Sequence, residues 1–415
     1  MSTLIVPFVA LFEIRKLRRA GVPVHRAHEK LGHATAERIH DAPLIWFHAA
    51  SVGESLSVLG LITQMGRSLH QARFLITSGT ATSATLLASR LPPRTVHQFA
   101  PLDAPGPMTR FLRRWRPDAA VFVESELWPQ MLRRTFGTGA KMALVNARLS
   151  KRSVARWRSQ PRLADYVLNV FSLIITQNDE MAEAMVSMHA PAPRVARGTN
   201  LKSMAGPLPV DDDALFQARA SLGHRPVWVA SSTHAGEEAA VIEAHVRFLK
   251  THPTGCLILA PRHPERGDEV ATLIQAHGLE MRRRTQAHWP GGQVFLADTL
   301  GELGLWYALS DVVFLGGSLR PIGGHNPFEV AHAGARILAG PHVAAFAETY
   351  QEMQRAGAAT TVEDAAALAT AVLDHFADPA AAKRAQVAVA GFSRDQSAAL
   401  QGISDRLIKA LDLAP

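Results

Sequence analysis

The stretch Gly316-Gly-Ser-Leu-Arg-Pro-Ile-Gly-Gly-His-Asn-Pro-Phe-Glu329 decides how this chain is read. It follows an apolar run at residues 312–315 that reads as a buried strand, and it precedes residues 330–338, which read as a helix. Strand, glycine-rich turn and helix in succession make the repeating unit of a parallel α/β sheet. The glycines allow sharp turns and close approach of backbone to a ligand, because no Cβ intervenes. Asn326 suits a helix N-cap, Pro327 the first helical position, and Glu329 lies three residues after the cap. A helix start offers unpaired N–H groups and the positive end of a dipole, which favour an anion such as phosphate. Asn326 and Glu329 also have the spacing of a capping box that closes its own helix. Spacing alone leaves both readings open.

The same unit recurs outward from this stretch. Apolar runs at residues 44–48, 74–77, 119–123, 142–145 and 173–176 each lead into a polar or glycine-containing turn. Those turns include Ala49-Ala-Ser-Val-Gly-Glu54, Glu124-Ser-Glu-Leu-Trp-Pro129 and Asn146-Ala-Arg-Leu-Ser150. Residues 203–213, with two prolines, a glycine and three consecutive aspartates, read as an interdomain linker. Runs at 227–230, 256–260 and 294–297 then restart the pattern, with turns Ser231-Ser-Thr-His-Ala-Gly236, Pro261-Arg-His-Pro-Glu-Arg266 and Asp298-Thr-Leu-Gly-Glu302. Such alternation predicts parallel sheets with helices on both faces and functional groups at the strand C-terminal ends. The expected architecture is two Rossmann-like α/β domains, residues 1–204 and 205–415, facing a central cleft. The alanine-rich segments 365–371 and 380–390 read as surface helices.

A chain of 415 residues exceeds one comfortable core, and its 47% apolar and 19% charged content is that of a packed globular protein. The net charge of +8 is unevenly spread: residues 1–204 hold 27 Lys+Arg against 13 Asp+Glu, and the remainder 17 against 23. The first half is therefore suited to an anionic partner: a membrane surface, a phosphorylated lipid or nucleic acid. The single cysteine, Cys256, sits in an apolar run and reads as core packing, and with one cysteine no internal disulfide can form. No run of about 18 apolar residues exists, so no segment reads as a bilayer span. Residues 4–12 are nonetheless apolar, and Arg15, Lys16, Arg18 and Arg19 follow at once. That arrangement suits the interface of an anionic membrane, and it equally suits an ordinary amphipathic first helix.

Five of these turns, His48 to Glu54, Glu124 to Pro129, Asn146 to Ser150, Pro261 to Arg266 and Gly323 to Glu329, occur in one order. Together they strongly resemble the 3-deoxy-D-manno-octulosonic acid (Kdo) transferase family of lipopolysaccharide assembly, over roughly residues 44–350. The resemblance implies the GT-B glycosyltransferase fold and inverting transfer of Kdo from CMP-Kdo to a lipid A precursor of the lipid IVA type. It also implies peripheral attachment at the cytoplasmic face of the inner membrane. The basic first domain would then face the phosphorylated, membrane-borne acceptor, and the second would hold CMP-Kdo.

The site residues follow partly from chemistry and partly from that resemblance. Inverting transfer needs a base for the attacking hydroxyl, and a carboxylate at a strand-to-helix turn can serve. The resemblance assigns this role to Glu54, whereas its spacing from Ser51 alone favours a capping box. Glu124 and Glu126, two apart, would share one face of an extended segment, and carboxylates held close raise one another's pKa. The resemblance carries over Glu124 and Lys202 as groups supporting charge in the transition state. Lys202 departs from the family spacing by one residue and is followed by Ser203 and Met204 rather than an aromatic and an acid. A solvated linker lysine is its other reading. For CMP the resemblance points to Pro261, Arg262, Leu300, Gly301, Glu302, Asn326, Pro327, Phe328 and Glu329. The chemistry agrees in kind, since CMP leaves as a phosphate anion that an arginine and helix starts can stabilise. Arg262 could instead pair with Glu265 at the surface.

No metal and no cofactor is expected. Asp211-Asp-Asp213 matches an acidic metal pattern but precedes a helix, where aspartate caps the N-terminus and complements the dipole. The 19 histidines lack zinc-ligand spacing. The alternatives are another GT-B enzyme or epimerase using a UDP- or GDP-sugar, or a basic non-catalytic binder of membrane or nucleic acid. Against nucleic acid, the basic clusters at 110–116 and 151–162 lack interleaved aromatic platforms.

Overall fold

Short apolar runs bounded by turn formers become strands here, and their burial on both faces is what holds each sheet. The computed structural model describes residues 6–39, 41–88, 90–198, 201 and 207–414. It divides into two units, Met1–Ala205 with Ser397–Pro415 and Gly206–Gln396. The final residues, expected in the second domain, thus group with the first unit. The long helix Pro379–Ala410 passes from one unit to the other.

Unit 1 contains β1 (Leu44–His48), β2 (Arg73–Ser78), β3 (Thr95–Phe99), β4 (Ala119–Val123), β5 (Lys141–Ala147), β6 (Leu173–Thr176) and β7 (Val195–Arg197). All pair in parallel in the order β3-β2-β1-β4-β5-β6-β7. Alternate residues serve opposite layers, as the strand period requires. Leu44 and Trp46 join Phe111, Trp115 and Phe122 on one face. Ile45 and Phe47 join Ile62, Leu87, Ile403, Leu407 and Leu411 on the other. The order reverses between β1 and β4, the point where open α/β sheets leave a crevice beyond their strand ends. The turns carrying Glu54 and Glu124 emerge there.

Unit 2 repeats the plan with β8 (Val227–Thr233), β9 (Cys256–Pro261), β10 (Met281–Arg283), β11 (Val294–Leu296), β12 (Val312–Leu315), β13 (Arg336–Ala339) and β14 (Ala359–Thr361). These are parallel in the order β10-β11-β9-β8-β12-β13-β14. Its reversal falls between β8 and β12, so the turn after β8 and the stretch Gly316 to Glu329 meet at the same end. Cys256 is fully buried in this sheet, and burial pushes its thiol up to about 12.

Three local expectations change. The helix placed at 330–338 is instead the short helix Phe328–His332 followed by β13. Gly334, at φ +83°, turns the chain, and Ile337, Leu338 and Ala339 then fill the sheet interior. The alanine-rich segments are helical but not peripheral, since Ala365, Leu368, Ala369, Val372, Ala385 and Val389 are buried. The edge strands β3, β7, β10 and β14 were not anticipated at all. Asp211 does cap its helix, its Oδ1 accepting from Ala214 N–H at 2.9 Å.

His245 is fully buried behind β8. Trp228 Nε1–H donates to its Nδ1 at 3.0 Å, and its Nε2–H donates to Gln293 O at 2.8 Å, which fixes a neutral ring. Burial holds its pKa at about 4. A histidine held below its unfolded value of about 6.5 stabilises the fold above that pH and loses the contribution as pH falls through the folded value. Between those limits one such group costs about 1.4 kcal/mol per pH unit. The melting temperature should therefore fall from pH 6.5 to pH 4.5, and less steeply in His245→Gln; identical slopes would refute this assignment.

Candidate functional site

At the switch point of unit 1, β1 ends in His48 and the chain turns into the helix Val52–Ser57. Ser51 is the N-cap, its Oγ accepting from Glu54 N–H at 3.3 Å. Glu54 Oε2 accepts from Ala50 N–H and Oε1 from Ser51 Oγ–H, both at 2.9 Å. The side chain therefore closes its own turn while standing at the strand-end crevice. Its pKa lies above the ordinary glutamate range. Burial is the main cause, the negative charges of Glu126 and Glu124 add to it, and the Ser51 and Ala50 hydrogen bonds oppose it.

The segment after β4 is not extended. Glu124 adopts φ +54°, a left-handed conformation uncommon for a residue with a Cβ, while its N–H donates to Val145 O at 3.0 Å. Glu126 turns inward, and Oε2 accepts from His48 Nε2–H at 3.1 Å and from Trp128 Nε1–H at 2.5 Å. Burial pushes its carboxyl up, but the His48 and Trp128 bonds outweigh this and hold it below the usual range. Glu126 is thus not raised by a neighbouring acid, as its spacing from Glu124 had suggested. His48 Nδ1 meets Thr77 Oγ1 at 2.9 Å, and Trp46 Nε1–H donates to the same oxygen at 2.8 Å. Asn146, fully buried at φ +56°, donates from Nδ2 to Glu124 Oε1 at 3.3 Å and accepts from Leu201 N–H at 3.0 Å.

At the switch point of unit 2 the central group is Glu237, which is fully buried. Its Oε2 accepts from His234 N–H at 2.9 Å and Gly317 N–H at 2.7 Å; its Oε1 accepts from Ser318 N–H at 2.9 Å and Leu319 N–H at 2.8 Å. The N–H groups of Gly317, Ser318 and Leu319 in the glycine-rich stretch are therefore held by a side chain. A Cβ at Gly316 would come within 2.5 Å of Ser232 O, so the end of β8 and the turn after β12 cross at backbone contact. Beyond that crossing His234, His325 and His263 cluster, with His234 and His263 ring centroids 5.6 Å apart. Arg262 is exposed and lies near enough to His234 and His325 to act on their charge. Glu265 pairs with His263 at 3.3 Å.

A family model described as 3-Deoxy-D-manno-octulosonic-acid transferase (kdotransferase) matches residues 25–205. The 3-deoxy-D-manno-octulosonic acid transferase of Bordetella pertussis is 33% identical over 434 residues, spanning 98% of this chain and 96% of that protein. The chain belongs to the Kdo transferase family. The "Probable 3-deoxy-D-manno-octulosonic acid transferase, mitochondrial" of Arabidopsis thaliana is also 33% identical, over 338 residues, 79% of this chain and 75% of that one. Among solved structures, a glycosyltransferase from Rickettsia africae matches with TM-score 0.58 at 13% identity, over 90% of this chain and 100% of its own. That likeness is one of fold, the GT-B architecture.

Within this family member the site residues named from sequence fall into three groups. Glu54 and Glu124 stand together at the unit 1 switch point, close enough for Glu124 to act on the Glu54 carboxyl. Lys202 lies outside the described residues. Of the nucleotide set, Pro261 is the buried end of β9, and Arg262 follows it. Asn326 Oδ1 accepts from Phe328 N–H at 3.1 Å, with Pro327 rather than Asn326 in the N-cap position. Phe328 is buried and stacks on Phe392, their centroids 5.6 Å apart, which removes its ring from any ligand surface. Glu329 lies near buried Tyr307 and helps push that phenol upward, after burial. Leu300 is 78% exposed and Gly301 sits at φ +88°. Glu302 is engaged by Arg284 at 2.7 Å and by the Thr299 hydroxyl. His48, Asn146, Glu126 and Glu237 carry the site's internal bonding without having been assigned a role. His48, Glu126 and Asn146 stand in the quoted turns, and the signal for Glu237 was an acid just after a strand-end turn.

If the charge on Glu126 helps raise Glu54, then Glu126→Gln, which still accepts from His48 and Trp128, should bring the Glu54 pKa down. Carboxyl carbon NMR titration reads this directly, and an unchanged or higher Glu54 midpoint would exclude the coupling.

Proposed function

We propose that this enzyme transfers Kdo from CMP-Kdo to a hydroxyl of a phosphorylated lipid A precursor, with inversion at the anomeric carbon. The observation that carries the reading is Glu54: a carboxylate with a raised pKa at a strand-end turn, in a chain of this family. A base is most effective with its pKa near the working pH, and burial beside two other acids moves Glu54 in that direction. In this reading unit 1 forms the acceptor domain and unit 2 the CMP-Kdo domain. The acceptor oxygen attacks the anomeric carbon as Glu54 takes its proton, and the bond to the donor phosphate breaks with CMP leaving. Glu124 and Lys202 support charge in the transition state. Arg262, with the turns at Leu300 to Glu302 and Asn326 to Glu329, holds the nucleotide, and the departing phosphate is stabilised electrostatically.

The test is release of CMP from CMP-Kdo, with and without a tetra-acylated lipid A precursor, in parent and Glu54→Gln protein. Release should require the acceptor. Since an amide still closes the turn, Glu54→Gln should melt near the parent's temperature while turnover falls at least ~100-fold, the scale of general-base catalysis. Near-parental turnover would return Glu54 to a helix cap alone. Acceptor-independent release would remove the transfer reading.

We further propose peripheral attachment to an anionic membrane, at the inner membrane's cytoplasmic face. The helix Val6–Arg19 supports this: Phe8, Leu11 and Phe12 are exposed, Ala10 and Leu17 are buried, and Arg15, Lys16, Arg18 and Arg19 complete its outer face. Basic residues near an anionic surface contribute about 1 kcal/mol each. Sedimentation with phosphatidylglycerol vesicles should show binding that weakens with salt and on deletion of residues 1–20, whereas salt-insensitive binding to neutral vesicles would contradict it.

A further inference from the structure

The histidine pair beyond Glu237 has no part in the assignments above, and its geometry is specific. His234 Nε2 and His325 Nε2 are 2.9 Å apart, and the two rings are inclined by only 6°. Two imidazole nitrogens at that distance share one proton: one ring donates N–H and the other accepts through its lone pair. Such a pair can take up one further proton at a free Nδ1 and keep, indeed strengthen, the bond between the rings, now charge-assisted. A second proton would set two N–H groups against each other. The pair is therefore a one-proton device.

Both rings hang from the same clamp. His234 N–H donates to Glu237, which also fixes Gly317. A Cβ at Gly317, which sits at φ +68°, would lie 2.9 Å from His325 Cδ2, so the ring occupies space that only glycine leaves. Gly324 N–H donates to Gly317 O at 2.7 Å, and Tyr350 O–H donates to His325 O at 3.2 Å, which fixes the backbone on either side of that ring.

The charges around the pair are balanced. Arg262 and His263, from the turn after β9, oppose protonation. Glu237 acts on both rings and Glu238 on His234 to favour it, and the Glu237 carboxylate is already shared among four N–H groups. Burial is the largest influence on both, and it holds His325 at about 4 and His234 below its usual value, so the empty pair is neutral near pH 7. An anion added beside Arg262 would reverse that balance.

We propose that the His234–His325 pair is part of the anion site of unit 2 and takes one proton from solvent when a nucleotide phosphate docks beside Arg262. This rests on the reading that unit 2 holds CMP. The bound state then presents an imidazolium as well as a guanidinium to the phosphate. A nearby opposite charge moves a pKa by roughly 1–3 units, enough to protonate the pair in a mildly acidic solution. Nucleotide affinity is then linked to pH through a group that is not part of the nucleotide.

The test uses the methyl ester of CMP, whose one acidic proton is already lost well below neutrality, so that any proton taken up belongs to the protein. Calorimetry at pH 6 in buffers of different ionisation enthalpy should show uptake of roughly half a proton per ligand. Affinity should weaken about tenfold between pH 5 and pH 7. In His325→Gln and in His234→Gln, uptake should fall to near zero and affinity should lose its pH dependence, with the melting temperature close to the parent's. If either variant fails to fold, histidine Cε1 NMR of the parent reads the same event, as two ring signals whose midpoints rise when the ligand is added. Ligand binding without proton uptake, or uptake unchanged in both variants, overturns the role of the pair and leaves the CMP reading intact. Absence of binding by the parent overturns the CMP reading itself, and this inference with it.

Discussion

A parallel strand covered on both faces has no room for a charged side chain except where it ends. That constraint organises both halves of this molecule. β1 and β8 are buried along their whole lengths, and each gives way to polar groups at its C-terminal end or in the turn that follows. Because the strand order turns back between β1 and β4, and between β8 and β12, two such ends open side by side in each unit. The backbone is bent to suit. Glu124, Asn146 and Ser232 all hold positive φ at or just after a strand end. Residues in that region cost free energy, and such conformations collect where surrounding structure dictates a side-chain direction.

The buried acids at these ends differ in what balances them, and that difference separates scaffold from chemistry. Glu237 is surrounded by four N–H donors, and it fixes two turns against each other. Glu126 is held by a histidine and a tryptophan, and its carboxyl sits low. Among the described residues Glu54 has only Ala50 and Ser51 to satisfy it, and it stands within reach of two negative charges. Hydrogen bonds favour the ionised form while burial and like charge disfavour it. Of Glu54 and Glu126, Glu54 is the one whose surroundings leave its proton affinity raised. A cap and a base are therefore compatible uses of one side chain, because the bonds that close the turn also aim the carboxylate.

The central strands were legible in the sequence because they are buried on both faces and read as uninterrupted apolar runs. The strands that escaped notice, β3, β7, β10 and β14, are the outer strands of their sheets. Met281-Arg-Arg283 and Val195-Ala-Arg197 lie partly open to solvent, so no apolar run marks them. Residues 330–338 misled for the opposite reason. Their apolar content suits helix or strand, and only Gly334 divides one from the other. The site was legible wherever a family turn carried its residues. What spacing could not convey was which groups would meet across the sheet: His48 with Glu126, Asn146 with Glu124, Glu237 with Gly317. Those partners are 78, 22 and 80 residues apart, and only the folded sheet brings them together.

The helix that leaves unit 2 and ends in unit 1 bears on the order in which the chain can mature. Ile403, Leu407 and Leu411 complete the layer formed by Ile45, Phe47, Ile62 and Leu87. That layer stays unfinished until residues beyond position 396 have left the ribosome, after the whole of unit 2. Domains usually fold in order of synthesis, the N-terminal one first. Here the first unit to be made is the last to be closed, and one apolar face of it waits on the final helix.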